Sequence, residues 1–234
     1  MLPRTLLLVA AALASHGLSG VQLLVAAAPV DDFVSQLAGW SQLPEFISQV
    51  KAGWSQNGET AALVLSYQKI GDPAATALAG ALEQNTVLTA LALGNNDVGD
   101  AGAAALAVAL EKNTALTMLW LSGNKIGAAG ATALQHALLT NTVLEKLNLG
   151  DNKIGNVGAA ALADALEKNT ALTVLMLNDN KIGDMGAVAL ARAIETNTVL
   201  EELGLNNNKI GKGVVWCGVV WLCCGCVVVC GDVL

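Results

Sequence analysis

Few side chains in this chain could serve as acids, bases or metal ligands, and those that could recur at regular intervals. Asp72, Asp100 and Asp184 each follow a glycine, and one such Gly-Asp pair alone would suggest an acidic or metal-binding motif. Their recurrence favours a structural role, because aspartate stabilises the positive end of a helix dipole. Of the two histidines, His16 lies in an apolar segment and His136 at a variable helix position. We therefore predict no catalytic residue, no cofactor and no metal site.

All five cysteines lie in the C-terminal tail, residues 212–234. Cys223, Cys224 and Cys226 crowd together with no histidine nearby, which fits poorly with paired zinc ligands. Residues 213–231 carry no charge, and a membrane span needs about 20 apolar residues. Four interpretations stay open: a membrane span, a metal site, disulfide-bonded or lipidated cysteines, and read-through of a gene model where the repeat array was cut. The compositional bias favours the last, so we expect the tail not to be part of the fold.

A repeat of 28 residues organises most of the chain. One asparagine recurs in the frame L-x-x-L-x-L-x-x-N-x-[IV]-G, and Gln68 takes the same position one period before the first of them. These residues are Asn96, Asn124, Asn152, Asn180 and Asn208. The alternating leucines predict a short strand with one buried face. We expect the amides to form a structural asparagine ladder that satisfies backbone groups of neighbouring turns.

A helix is predicted after each strand. Ala159, Leu162, Ala163 and Leu166 have the i, i+3, i+4, i+7 spacing of one helix face. The same face in the last copy comprises Ala187, Leu190, Ala191 and Ile194. Each helix pattern stops at an Asn-Thr pair, where asparagine tolerates the left-handed conformation that ends many helices.

One strand and one helix per 28 residues resemble the ribonuclease-inhibitor class of leucine-rich repeats. That class includes ribonuclease inhibitor, the Ran GTPase-activating protein and the repeat domains of intracellular NOD-like receptors. The resemblance covers residues 60–211, with five complete repeats and one partial repeat. It implies an α/β solenoid, shaped as a horseshoe with parallel strands on the concave face and helices on the convex face. Because solenoids present extended surfaces, we expect a non-catalytic scaffold that binds a protein partner through the concave face.

Two other functions stay open from the sequence. One is a regulator of a small GTPase that resembles the Ran GTPase-activating protein, and the other is a truncated sensor of the NOD-like-receptor type. The net charge of −7 and the lack of an arginine cluster argue against nucleic acid as a partner. Membrane binding is expected only if the tail is a genuine segment. The resembling families are mostly intracellular, which favours the cytoplasm over secretion.

Two segments precede the array, residues 1–30 and residues 31–59. Residues 5–30 carry no Asp, Glu, Lys or Arg and follow Arg4, which is typical of a secretory signal peptide. The alternative is an Ala/Leu helix that caps the solenoid. In the second segment, Phe33, Leu37 and Trp40 fall at helical spacing before Pro44. We interpret this segment as an N-terminal cap that shields the first turn, with a docking helix for a partner as the alternative.

The residues between the frame leucines vary from copy to copy, and strand alternation directs them onto the concave face. The candidate partner-binding residues are Trp120, Met118, Lys146, Asn148, Met176 and Glu202. Trp120 and the two methionines are predicted to form an exposed apolar patch, which usually marks a binding site. Lys146, Asp151, Asp179 and Glu202 are predicted to form its polar rim.

Overall fold

The repeat region folds as a solenoid in which strands and helices alternate. The computed structural model describes residues 61–211 and three short strands outside that range, at residues 23–26, 54–55 and 227–229. Within residues 61–211, six strands alternate with five helices. The predicted α/β solenoid with parallel strands is therefore confirmed.

The strands are short and the helices have about equal lengths, as the repeat requires. The strands are β1 (Leu23–Ala26), β2 (Trp54–Ser55), β3 (Ala61–Val64), β4 (Leu88–Ala92), β5 (Met118–Trp120), β6 (Lys146–Asn148), β7 (Val174–Met176), β8 (Glu202–Gly204) and β9 (Val227–Val229). The helices are α1 (Asp72–Gln84), α2 (Asp100–Lys112), α3 (Ala128–Thr140), α4 (Gly155–Leu166) and α5 (Asp184–Thr196).

Strands β3 to β8 form a parallel sheet in sequence order, and from β4 onwards equivalent residues of successive copies lie side by side. Met118 pairs with Lys146, and Leu119 pairs with Leu147. At the N-terminal end, β1 pairs antiparallel with β3 and parallel with β2. At the C-terminal end, β9 pairs parallel with β8. This register places equivalent side chains of successive turns in rows across the sheet.

The core lies between the sheet and the helices and consists of the frame leucines and the apolar helix face. Leu147, Leu149 and Leu162 are each 1% exposed or less. The predicted helix face is buried in α4 but not throughout α5, where Ala191 is exposed and Ile194 is half-buried. The reason is positional: α5 is the last helix among residues 61–211, so no further helix of that range covers its outer side.

The prediction that asparagine ends each helix in the left-handed conformation is wrong. Asn85, Asn113, Asn141 and Asn197 have φ between −84° and −74° with extended ψ values. Their side chains have a different use, which is described below.

The segments that flank the array fall mostly outside the described residues. These include the candidate signal peptide or capping helix, the aromatic residues of the cap except Trp54 in β2, and all five cysteines. Within the tail, Val227–Val229 extends the sheet as β9, with Glu202 opposite Val227. Most of the tail lies outside the described residues, so the domain boundary at residue 211 and the expectation that the tail is not part of the fold stay predictions. Among the described residues, no helix has the length and apolar character to cross a membrane.

Candidate functional site

The strand-end asparagines fix the backbone that presents the concave face. Asn152 is 5% exposed, and its Nδ2 donates to the carbonyls of Leu121, Leu149 and Gly150 at 2.9, 3.0 and 3.1 Å. Its Oδ1 accepts a hydrogen bond from the Ile126 amide at 3.0 Å. One side chain thus ties its own turn to the preceding turn at the edge where strands lead into helices. Equivalent bonds occur at Asn96, Asn124, Asn180 and Asn208.

A second row of asparagines, at the helix ends, ties the opposite edge; sequence reasoning had assigned these residues only a role in ending the helices. Asn169 follows α4 and is 6% exposed. Its Nδ2 donates to the carbonyls of Leu138 and Asn141 in the preceding turn at 2.7 and 3.1 Å. Its Oδ1 accepts from the amides of Ala171 and Leu172 at 3.0 and 2.7 Å. The strict recurrence of asparagine at helix ends was the available signal, because a plain turn tolerates several residue types.

Asp72 and Asp100 cap the helix of the next turn through their side chains. Asp100 Oδ1 accepts hydrogen bonds from the amides of Gly127 and Gly130 at 2.6 and 2.9 Å. The glycine is required there, since a Cβ on Gly130 would lie 2.8 Å from that oxygen. The equivalent residue in the following turn is Ala128, which offers no acceptor, and there Gly155 adopts a φ of 60°.

Two residues that the sequence assigned to the polar rim, Asp151 and Asp179, occupy positions where the backbone conformation favours Asn or Asp. Asp151 and Asp179 adopt φ of 50° and 58°, in the left-handed region that Asn and Asp tolerate better than most residues. Asn95 and Asn207 do the same in other turns, and Tyr67 does so in the first. Both aspartates are exposed, and the Asp179 carboxylate accepts a long hydrogen bond of 3.5 Å from Asn207 Nδ2 in the next turn.

The six candidate partner-binding residues lie on four consecutive strands, β5 to β8. Trp120 stands between Ala92 and Asn148, and Met176 lies beside Asn148 on the next strand. We call this line of side chains the tryptophan row: Val64, Ala92, Trp120, Asn148, Met176 and Gly204. The parallel line contains Ala62, Ala90, Met118, Lys146, Val174 and Glu202.

The apolar members of the candidate patch are half-buried. Trp120, Met118 and Met176 have intermediate exposure, whereas Lys146 is exposed. A Cβ on Gly204 would lie 2.6 Å from Met176 Sδ, so the methionine extends over the glycine. Asn148 turns back on its own chain, where its Oδ1 accepts from the Gly150 amide at 2.9 Å.

The convex face carries more exposed apolar residues, which sequence reasoning missed. Val157 and Met185 occupy equivalent positions on α4 and α5 and are 69% and 79% exposed, and Val188 on α5 is 38% exposed. The available signal was a change of residue type at one helix position, which holds proline or alanine in the earlier copies. These residues define a second candidate surface.

Within residues 61–211, the charged side chains of strands β6 and β8 and of the residues just before them form no ion pair. The two ion pairs within residues 61–211 are Lys112 with Glu83 at 2.8 Å and Lys125 with Asp97 at 2.6 Å. Neither includes Glu145, Glu201, Glu202 or Lys146. In the described part of the chain, no cluster of three or more His, Cys, Asp or Glu side chains is placed to hold a metal ion.

Comparison with known proteins identifies the repeats. A family model described as "Leucine Rich repeat" matches residues 84–107, 112–134, 140–163 and 168–191. These four copies are leucine-rich repeats, and their alternation of one strand and one helix is that of the ribonuclease-inhibitor type. No match was found among the curated proteins.

Two solved structures show the same fold. The "Leiomodin-1 Actin-Binding Site 2" structure is 24% identical, with a TM-score of 0.51, and the match covers 71% of this chain and 88% of that one. The tropomodulin C-terminal domain of Caenorhabditis elegans is 14% identical, with a TM-score of 0.52, and the match covers 72% of this chain and 93% of that one. At these identities the likeness concerns the fold alone.

Proposed function

We propose that this leucine-rich repeat protein is a non-catalytic interaction scaffold that binds a protein partner through its concave face, centred on Trp120. The observation that carries the proposal is the contrast within each turn. The leucines of the frame recur and are buried, whereas the outward strand residues change from turn to turn and, apart from Ala90 and Gly204, are at least partly accessible. Variation over a constant scaffold is how solenoids adapt one surface to a partner.

Trp120 is the expected centre because of its neighbours and its chemistry. Ala92 and Asn148 flank it on adjacent strands, and neither is large enough to cover an indole. Tryptophan is enriched among residues that dominate binding energy, above all where a partner completes its burial. A half-buried tryptophan on a fixed strand loses little side-chain entropy on binding.

The comparisons support the general role and suggest a first partner to test. The repeats and their likeness to the leiomodin-1 and tropomodulin domains support an interaction scaffold. Because the leiomodin-1 structure is that of an actin-binding site, actin is the first named protein to assay.

The test is the effect of Trp120→Ala on the affinity of a partner isolated with the full chain. We expect a loss of about 2 kcal/mol or more, about 30-fold in Kd, measured by isothermal titration calorimetry. Asp164→Lys on the exposed side of α4 should change Kd less than about 3-fold.

A second pair of variants separates the two candidate surfaces. Val157→Ser with Met185→Ser removes the exposed apolar side chains of the convex face. If this double variant abolishes binding while Trp120→Ala leaves it intact, the convex face is the interface and the site assignment is wrong. The GTPase-regulator alternative stays a prediction, which GTP hydrolysis by candidate GTPases with and without this chain would test.

A further inference from the structure

The tryptophan row provides an apolar track across the whole described array. All six of its members are uncharged, and Asn148 is the only polar one. Successive strands lie about 4.8 Å apart, so six strands span about 24 Å. An α-helix of about 16 residues has the same length. The row therefore matches one apolar stripe of a short amphipathic helix, which is a recurrent way in which grooves recognise peptides.

The side of the row nearest the strand starts is acidic. Glu145 and Glu201 immediately precede β6 and β8, and Glu202 is the first residue of β8. We call these three residues the acidic edge. Lys146 is the one basic residue among them, which leaves three negative charges and one positive, a net of −2.

The acidic edge is available to a partner. Glu145 and Glu201 are exposed and Glu202 is half-buried. None of the three takes part in an ion pair within residues 61–211. A basic group that approaches them would therefore gain attraction without breaking an ion pair of residues 61–211.

The opposite edge of the sheet carries the opposite net charge. Five lysines and three aspartates lie there, a net of +2: Lys69, Lys125, Lys153, Lys181 and Lys209, with Asp97, Asp151 and Asp179. This edge therefore does not attract a basic segment. The two sides of the tryptophan row thus differ in net charge, −2 against +2, and the row between them is uncharged.

We infer that the partner contributes a basic amphipathic segment. Its apolar side chains lie along the tryptophan row, and its Lys or Arg side chains face the acidic edge. Because the acidic edge is strongest at β8, the basic residues concentrate at one end of the segment. Three strand spacings separate Trp120 on β5 from Glu202 on β8, about 14 Å, so the main apolar anchor and that basic cluster lie about 10 helical residues apart. This inference rests on the proposed function, because it names the partner of the same face.

The probes are two synthetic amphipathic helical peptides of about 16 residues. Both have one apolar stripe, and they differ only in carrying lysines or glutamates beside it. Binding to the full chain is measured by fluorescence anisotropy at low and at raised salt. We expect the lysine peptide to bind at least about 10-fold more tightly, with a difference that shrinks as salt screens the charges. No binding of the lysine peptide at about millimolar chain would overturn the inference, since a matched groove should reach at least that affinity.

Two matched charge-reversal variants of the protein test which glutamates attract the lysine peptide. E201K/E202K should weaken the lysine peptide about 10-fold, whereas E167K/E195K on the helical side makes the same net change and should weaken it less than about 3-fold. Equal losses from both would attribute the preference to the overall charge of −7 and overturn the inference.

The role of Trp120 separates this inference from the proposed function. If Trp120→Ala removes binding of both peptides while the reversals do nothing, the face binds apolar segments without charge selection. The inference then fails and the proposed function stands. If Trp120→Ala leaves the lysine peptide's affinity unchanged, the peptide binds elsewhere, and both the inference and the assignment of the face fail.

Discussion

The two edges of the solenoid are each held by a row of buried asparagines, yet the rows work in different ways. At the edge where strands lead into helices, Asn152 donates to carbonyls of its own strand and of the preceding turn. At the other edge, Asn169 accepts from amides of its own turn and donates to the end of the preceding helix. The difference teaches that asparagine, which recurs twice per repeat, can satisfy two different sets of unpaired backbone groups. An amide side chain suits both because it donates and accepts at once.

Substitution of the strand-end asparagine gives the largest expected effect. Asn152→Ala should lower the free energy of unfolding by about 1–3 kcal/mol, because four hydrogen bonds to buried backbone groups are lost. Urea denaturation of the full chain measures it. The exposed neighbour provides the control, since Lys153→Ala should cost under about 0.5 kcal/mol. Equal effects from both would show that Asn152 does not anchor the turn.

Substitution of an asparagine in the second row, at the helix ends, should lower the free energy of unfolding nearly as much. Asn169→Ala should cost about 1–2 kcal/mol, somewhat less than Asn152→Ala because one of its four bonds, to the Ala171 amide, is only partly buried. Thr170→Ala, at the exposed next residue, is the matched control for the same urea experiment. A cost no greater than that of Thr170→Ala would remove the second row from the frame and leave the first as the sole ladder.

A smaller effect is expected at the helix starts. Asp100→Ala should cost about 1 kcal/mol, the usual value of a lost helix cap, because the amides of Gly127 and Gly130 lose their acceptor. Asp164→Ala removes an exposed aspartate from α4 and controls for the change of charge. The natural alanine at position 128 shows one way in which a turn adapts, since Gly155 there is left-handed. An unchanged unfolding free energy for Asp100→Ala would mean that water replaces the carboxylate without cost.

The smallest effect is expected from the tail. A chain that ends at Gly211 should keep its melting temperature and become more soluble, because residues 213–231 carry no charge. Differential scanning calorimetry compares it with the full chain. A clear fall in melting temperature would show instead that β9, paired with β8, caps the open end of the sheet. That result would move the domain boundary beyond residue 211.

Sequence reasoning succeeded where the signal was local and repeated. The alternating leucines and the i, i+3, i+4, i+7 helix pattern predict elements from residues within one turn. Apart from the strand-end asparagines, for which bonds to neighbouring turns were expected, it did not predict how one turn acts on another. The capping of Gly127 and Gly130 by Asp100 joins residues 27 and 30 positions apart, and Asn169 reaches back 31 positions to Leu138. No local pattern contains both members of such a pair.

The same limit applies to the candidate site. Alternation assigned Trp120, Met118, Lys146, Asn148, Met176 and Glu202 to one face, and the strand register brings them side by side. Their exposure was harder to predict, because it depends on how far neighbours on adjacent strands cover them. Met176 extends over Gly204, and the most exposed apolar side chains, Val157 and Met185, lie on the helices.

The sequence by itself determined the period, the alternation of strand and helix and the identity of the inward residues. Burial of apolar side chains at fixed spacing leaves one arrangement for each turn, so the pattern is sufficient. Only the tertiary structure decided which groups of one turn bond to the next. Those bonds depend on the stacking of turns, which sets the distance and direction between residues far apart in the chain. The stacking also decided that the two sides of the concave face differ in net charge, because that asymmetry exists only once strands β6 and β8 stand in one sheet.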